Sequence, residues 1–455
     1  MMMKFNKIAL AVTFAALCGS AIAKNDPAVY NSETWQGKYP DQYNSWASTA
    51  ESTEKGDALA ENPNLIIMWG GYGFAKDYNK PRGHHYAITD LTRTLRTAGP
   101  MTKDAGPMAA SCWGCKTPDM IRMYDQVGEN AFSEKMWAAW GDEMNSSVGC
   151  ADCHDAKTGE AKPARPFAMR AFEAAGEKFE DQDADTKAAM TCAQCHVEYY
   201  FNGKDHNNVK FPWDNGQDVD SMLAYYDALG FKDWTHNISK APMLKAQHPE
   251  WETWKGTAHA EMGVTCITCH MPKETNAKGQ EFSRHNVGNA IDNFDKVCAD
   301  CHESKGEMEA LLKSNKQAVT EAQLATEAVI TKAHFDAAEA WKAGATDAEM
   351  QGALKLIRHA QFRWDFAIAS HGIHAHNPGW SVEELAKAKV DGEKARAELK
   401  KILAKHGVNA VTYPDYSTKA KAQALVGLDK AKLDAEKKKF LNDVVQKEWP
   451  NKVEF

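Results

Sequence analysis

From residue 306 to 343 the chain runs without proline and repeats alanine, glutamate, lysine and leucine, a pattern that predicts one long helix. Gly344 interrupts it. Thr346 followed by Glu349 reads as a capping box that starts a second helix, running through EMQGALKLIRHAQFRWDFAIASHGIH until Asn377-Pro378 stops it. Ser381 with Glu384 predicts the cap of a third helix, which ends near His406 where Gly407 follows. A last helix is predicted over roughly 428–446. Leu356, Phe362, Phe366 and Ile373 are apolar positions on these segments that need burial, either within the chain or against a second copy.

Upstream the pattern changes. Residues 80–302 are rich in Gly, Pro, Asn and Trp, which predicts short helices joined by long loops. At the start, Lys4 and Lys7 precede the apolar run IALAVTFAALCGSAIA, which closes on Ala21-Ile22-Ala23. That is the layout of a secretory signal, so residues 1–23 are read as a cleaved leader and 24–455 as a single exported, periplasmic domain. A lipid anchor on Cys18 fits poorly, because Leu17 stands where a small residue is needed. No later run of about 18 uninterrupted apolar residues occurs, so no transmembrane segment is expected. The formal charge is −8, without the basic surplus of a nucleic-acid binder.

The cysteines carry the chemistry. Besides Cys18 there are ten, and all fall in five C-x-x-C pairs: Cys112/Cys115, Cys150/Cys153, Cys192/Cys195, Cys266/Cys269 and Cys298/Cys301. Their spacing along the chain is uneven, so this is no repeat array. His154, His196, His270 and His302 follow the last four pairs directly, completing the attachment sequence for c-type haem. Two thiols form thioethers to the ring edge, and the next residue reaches the iron. Random placement of these residues gives roughly 0.01 such matches in a chain of this length. Disulfides or tetrahedral zinc sites would leave the four trailing histidines unexplained. The first pair is followed by Lys116, and a fifth haem is expected there. A lysine amine can ligate iron once desolvation and the metal's charge lower its pKa; the alternative is an exposed lysine with no such role.

Electron-transfer haems commonly carry a second axial ligand. Candidates are His84 or His85, His259, His285, and one of His371, His374 and His376; spacing alone does not choose among them. Four saturated haems make a conductor, and the lysine site is where an open position for a small molecule would be useful.

One C-W-x-C-K motif, four C-x-x-C-H motifs in this order, CHVEYYF and APMLKAQHPEWETW together resemble ammonia-forming cytochrome c nitrite reductases over essentially the whole chain after the leader. The resemblance implies a mainly α multihaem cytochrome c fold with five packed c-type haems over about 80–302 and a long-helix segment over about 303–455, forming a periplasmic homodimer. It implies distal ligands His84 for the Cys192/Cys195 haem, His285 for Cys150/Cys153, His259 for Cys298/Cys301 and His376 for Cys266/Cys269. It places Arg96, Tyr199 and His248 above the open iron, with calcium held by Glu198 and Gln247 side chains and the carbonyls of Tyr199 and Lys245. The implied electron donor is a quinol dehydrogenase or a small multihaem cytochrome. A pure electron carrier, or a related reductase of hydroxylamine or sulfite, is the competing expectation.

Overall fold

Lys305–Lys342 forms one unbroken helix, α1, begun by Ser304, whose hydroxyl accepts from the Glu307 amide at 3.2 Å. The computed structural model that shows this describes residues 27–453, so the expected leader lies outside the described residues. Helix α2, Asp347–Ala369, starts at the expected capping box: Thr346 Oγ1 accepts from the Glu349 amide at 3.4 Å and Glu349 accepts from the Thr346 amide at 2.8 Å. It ends sooner than its periodicity suggests. The backbone breaks at Ser370–Gly372, with Gly372 at φ +72°, before a single turn, Ile373–His376. The break is satisfied from outside the helix: Ser370 Oγ lies 2.9 Å from Thr253 Oγ1, and the His371 amide donates to Glu250 at 2.7 Å.

Helix α3, Pro378–Lys405, begins with proline in the first turn, three residues before the expected cap. Ser381 is instead buried inside α3 and donates to the Ala367 carbonyl of α2 at 2.9 Å, while Glu384 receives Arg363. The predicted terminal helix divides into α4, Lys430–Phe440, a wider turn over Leu441–Val445, and a last short turn.

Helices α1, α2 and α3 pack against one another, and α2 is apolar on two faces. Ile357, Ala360, Trp364 and Ala367 enter a core shared with Ile330, Leu385 and Leu399. Phe362 and Phe366 face the other way, into a core with Tyr226, Trp113 and Phe172. Ile373 and, partly, Leu356 join the first core, so all four flagged apolar positions find cover within the chain.

Ahead of α1 the longest described helix is Val219–Leu229, with 11 residues, and the strands are three short antiparallel ribbons such as Tyr200–Asn202 with Asn208–Lys210. The short-helix, long-loop character of this half is therefore as its composition predicts. No described helix is long and apolar enough to cross a membrane.

Phe362 is fully buried and packs edge-on against Tyr226. Phe362→Ala is expected to cost about 3–5 kcal/mol, read as a lower unfolding midpoint of the holoprotein; an unchanged midpoint would show that this ring does not join the two halves.

Candidate haem-binding site

Each C-x-x-C pair sits on one tight turn, which sets its two thiols on the same side. In Cys150–Cys153 the turn is closed by Asp152, which accepts from the Gly149 amide at 2.7 Å. In Cys266–His270 the Thr265 amide donates to Thr268 at 3.1 Å. The amides of His154, His196 and His302 each reach back to the carbonyl of the first cysteine of their motif at 2.9 Å, so each imidazole starts one turn beyond it.

Residues inside the motifs lock neighbouring turns together. Arg165, fully buried, donates to the Gly114 carbonyl of the first motif at 2.9 Å and pairs with Asp152 of the second at 2.5 Å. Gln194 of the third motif accepts from the Arg165 amide at 3.1 Å and donates to the Asp152 carbonyl at 2.8 Å.

These turns surround one cavity of about 2890 Å³, lined by all ten described cysteines. That is roughly three times the upper end for a drug-sized ligand. Four pairs of imidazoles face each other across it. Ring centres are 6.4 Å apart for His84 and His196, 6.1 Å for His154 and His285, 6.1 Å for His259 and His302, and 6.2 Å for His270 and His376. A metal between two imidazoles, with bonds of about 2 Å on each side, sets ring centres roughly 6 Å apart. The residues therefore fit bis-imidazole iron.

Several outer nitrogens are already engaged: His154 Nδ1 with the Gly159 carbonyl at 2.9 Å, His270 Nδ1 with Gly288 at 2.8 Å and His285 Nδ1 with Ser283 at 2.7 Å. This fixes the rings and leaves the opposite nitrogen for a metal. Burial pushes His84 and His376 down to about 4, favouring the neutral ligand form. For His196 burial acts in the same direction, but the Glu250 carboxylate 3.6 Å away more than offsets it. The alternatives left open in the sequence separate here. His85 is exposed and packs on Tyr86, and His374 faces none of the four motif imidazoles. His371 stacks on His248 with ring centres 5.4 Å apart.

Neighbouring attachment turns touch. The Cys115 thiol is in contact with Cys195, and Cys192 with Cys266. Cys153 lies close enough to Cys192, and Cys269 to Cys298, for each to feel its neighbour's charge. The sites thus form a row, first, third, fourth and fifth, with the second beside the third.

Lys116 lines the cavity at the first site, and no described carboxylate lies within ion-pair distance of it. Arg96, Tyr199 and His248 line the same region, with Tyr199 and His248 ring centres 6.4 Å apart. The Arg96 guanidinium stacks on Phe74 at 4.3 Å. Burial raises Tyr199 well above the ordinary tyrosine value, so it stays protonated, and lowers His248 well below the ordinary histidine value.

Behind Tyr199, the fully buried Glu198 accepts from the Gln247 amide at 2.5 Å, and the Gln247 side chain lies 3.2 Å from the Lys245 carbonyl. The Glu198 carboxylate, the Gln247 side chain and the Lys245 carbonyl, three of the groups expected to hold calcium, are thus neighbours. The Lys245 ammonium pairs with Asp365 at 2.7 Å, and its charge still reaches Glu198 and Asp233. Glu252 and Asp233 crowd Glu198, and burial raises Glu252 to about 8 and Asp233 to about 7. One Glu252 oxygen is buried without a partner. Such a buried, oxygen-rich set, whose carboxyls would ionise beside a positive ion, suits a hard cation. Sequence reading missed Glu252, Asp233 and Glu250, and offered His371 only as a candidate distal ligand; the two glutamates of HPEWETW were the sequence signal for carboxylates in this region.

Cavity, attachment turns and facing imidazoles define the class: a chain folded around several covalently held c-type haems. It belongs to the cytochrome c552 family, whose model matches residues 31–454. A solved structure of cytochrome c nitrite reductase from Desulfovibrio desulfuricans, whose catalytic subunit has two calcium sites, is similar with a TM-score of 0.78 and 26% identity. The similarity covers 93% of this chain and 95% of that one.

His376→Ala is expected to turn one low-spin haem of the holoprotein into a ligand-binding one, seen in its optical and EPR spectra, while His374→Ala leaves both spectra unchanged. The reverse result would move the ligand role to His374.

Proposed function

We propose that this chain reduces nitrite to ammonium at the Lys116 site, fed by the four bis-histidine sites. The observation that carries this reading is the contrast between them: four cavity positions are closed by facing imidazoles, while Lys116 looks into a pocket with Arg96, Tyr199 and His248. Five bound haems, attached through the ten cysteines, would supply one-electron redox chemistry. Nitrite, six electrons and eight protons give ammonium and two waters.

In this reading Arg96, with no described carboxylate in ion-pair range, supplies fixed positive charge to the anion. His248 and Tyr199 donate hydrogen bonds to its oxygens. His248 is neutral at rest, because burial depresses its pKa; charge gathering on the substrate favours its protonation, so it becomes a proton donor as reduction proceeds. Tyr199 keeps its proton until late. Glu198, Gln247 and the carbonyls of Tyr199 and Lys245 would hold calcium, fixing the segment that carries Tyr199. The row of touching attachment turns supports short electron steps toward the Lys116 site.

The leader pattern at residues 1–23 supports export to the periplasm. A homodimer is supported by exposed Leu311 and Leu324 on α1 and Val390 on α3, apolar surface that a second copy would cover. The family resemblance supports a quinol dehydrogenase or small multihaem cytochrome as donor.

The test is an anaerobic assay of five-haem protein with reduced viologen and nitrite. Six dye electrons per ammonium are expected. Dye oxidation without ammonium would point to another product, and no nitrite-dependent oxidation would leave an electron carrier. His248→Asn is expected to lower turnover by about 10²–10⁴-fold with all haems attached; unchanged turnover across pH would remove its donor role.

A further inference from the structure

Arg96 sits on a turn held only in part from within: the Ala98 amide donates to the Leu95 carbonyl at 3.1 Å and Thr97 Oγ1 to the Thr94 carbonyl at 2.9 Å. Leu95–Thr97 is a single tight turn, and Ala98 after it has φ +56°, a region an alanine rarely occupies. Backbone in such a state persists where its surroundings enforce it. Within the turn, Arg96 Nε reaches only Thr94 Oγ1, at 3.2 Å. Further restraints come from elsewhere: Asp77 accepts from the Leu95 amide at 3.2 Å, Trp137 donates to the Thr97 carbonyl at 3.3 Å, and the Arg96 guanidinium stacks on Phe74 at 4.3 Å.

Another comes from a helix far along the chain. Lys437 on α4 is fully buried, and no described carboxylate lies within ion-pair distance of it. Its ammonium donates to the Thr92 carbonyl and to Thr97 Oγ1, both at 3.0 Å, bracketing the Arg96 turn. Trp137 and Phe440 rings complete its surroundings at 5.9 and 5.2 Å. Gly99 presses directly on the same helix: a Cβ there would come within 2.3 Å of the Glu436 carbonyl oxygen. Burial without a counter-ion lowers the Lys437 amine to about 7, a cost that nothing in α4 itself requires.

We propose that Lys437 is a positioning residue for Arg96: it binds the Thr92–Gly99 segment to α4, so that the guanidinium is presented to an anionic substrate. This rests on the reading of Arg96 as the group that meets nitrite. The helix at the end of the chain thereby becomes part of the pocket wall, although Lys437 does not line the cavity. Loss of the clamp weakens recognition of negative charge and spares recognition of a neutral substrate, which gains less from a guanidinium.

The experiment compares holoprotein variants with nitrite and with hydroxylamine, which is uncharged at neutral pH. Lys437→Met is expected to raise the nitrite KM and the Kd for nitrite binding to the oxidised protein about tenfold, the scale of one charge-assisted hydrogen bond. The hydroxylamine KM and the haem content stay as they are. Lys437→Arg, which can still donate to both oxygens, recovers part of the nitrite KM. An unchanged nitrite KM in Lys437→Met, or equal changes for both substrates, overturns the proposal. If that variant does not mature with five haems, Lys437→Leu, which also loses both hydrogen bonds, is judged by the same split; Thr97 is left intact because its hydroxyl also donates to the Leu91 and Thr94 carbonyls. Arg96→Gln separates the two levels. A nitrite KM unaffected by Arg96→Gln sinks the reading of the pocket; a KM sensitive to Arg96 and insensitive to Lys437 sinks only the clamp.

Discussion

The haem half of this protein depends on one buried ion pair. Arg165 and Asp152 are removed from water, where charges are costly unless paired, and Arg165 Nη1 is left without a hydrogen-bond partner. They are tolerated because they span three attachment turns at once: Arg165 reaches the first motif through Gly114, Asp152 belongs to the second, and Gln194 of the third holds the backbone of both. Removing either charge leaves the other stranded, a loss of about 3–5 kcal/mol in a chain of ordinary stability. The pair's use is geometric. Electron transfer between neighbouring haems needs fixed spacing, and loops as long as these would not supply it unaided.

The rest of the haem half is shaped by what side chains do not fill. A cavity of about 2890 Å³ cannot stay empty in a folded protein, since its walls would lose dispersion contacts on one side. The bound rings are therefore core as well as cofactor, which is why this half can manage with short turns. Helix α2 is the partition. Its Trp364 face belongs to the helical bundle and its Phe366 face to the haem side, so bundle and cofactor core share one wall.

Much of this was legible in the sequence, because covalent haem attachment needs adjacent residues in a strict local spacing. The long helices were legible for a similar reason: α1 and α2 follow local periodicity and a capping box. What escaped was set by contacts distant in sequence. Gly372 was visible as a glycine, but the break beside it forms because Thr253 and Glu250 take over its hydrogen bonds. That break turns His376 toward His270 and His371 toward His248, a separation no spacing rule could make. Ser381 and Glu384 had the composition of a cap, yet Pro378 was the better start and freed both for contacts with α2. The variable positions inside the motifs, Gly114, Asp152 and Gln194, looked like fillers. Their partners are tens of residues away.

By total charge alone, a chain at −8 repels an anion. The pocket resolves this by leaving particular cations uncompensated. Lys245 is neutralised by Asp365, and Glu250 is shared between the His196 ring and the His371 amide. The Arg96 guanidinium at the wall has no described carboxylate in ion-pair range. In a site that bound haems would close to water, such charges are screened little and act over several ångströms. Surface acids face solvent and salt, which screen them within about 10 Å. Local field at the reacting position therefore outweighs total charge, and the protein can be acidic outside while remaining receptive to a small anion within.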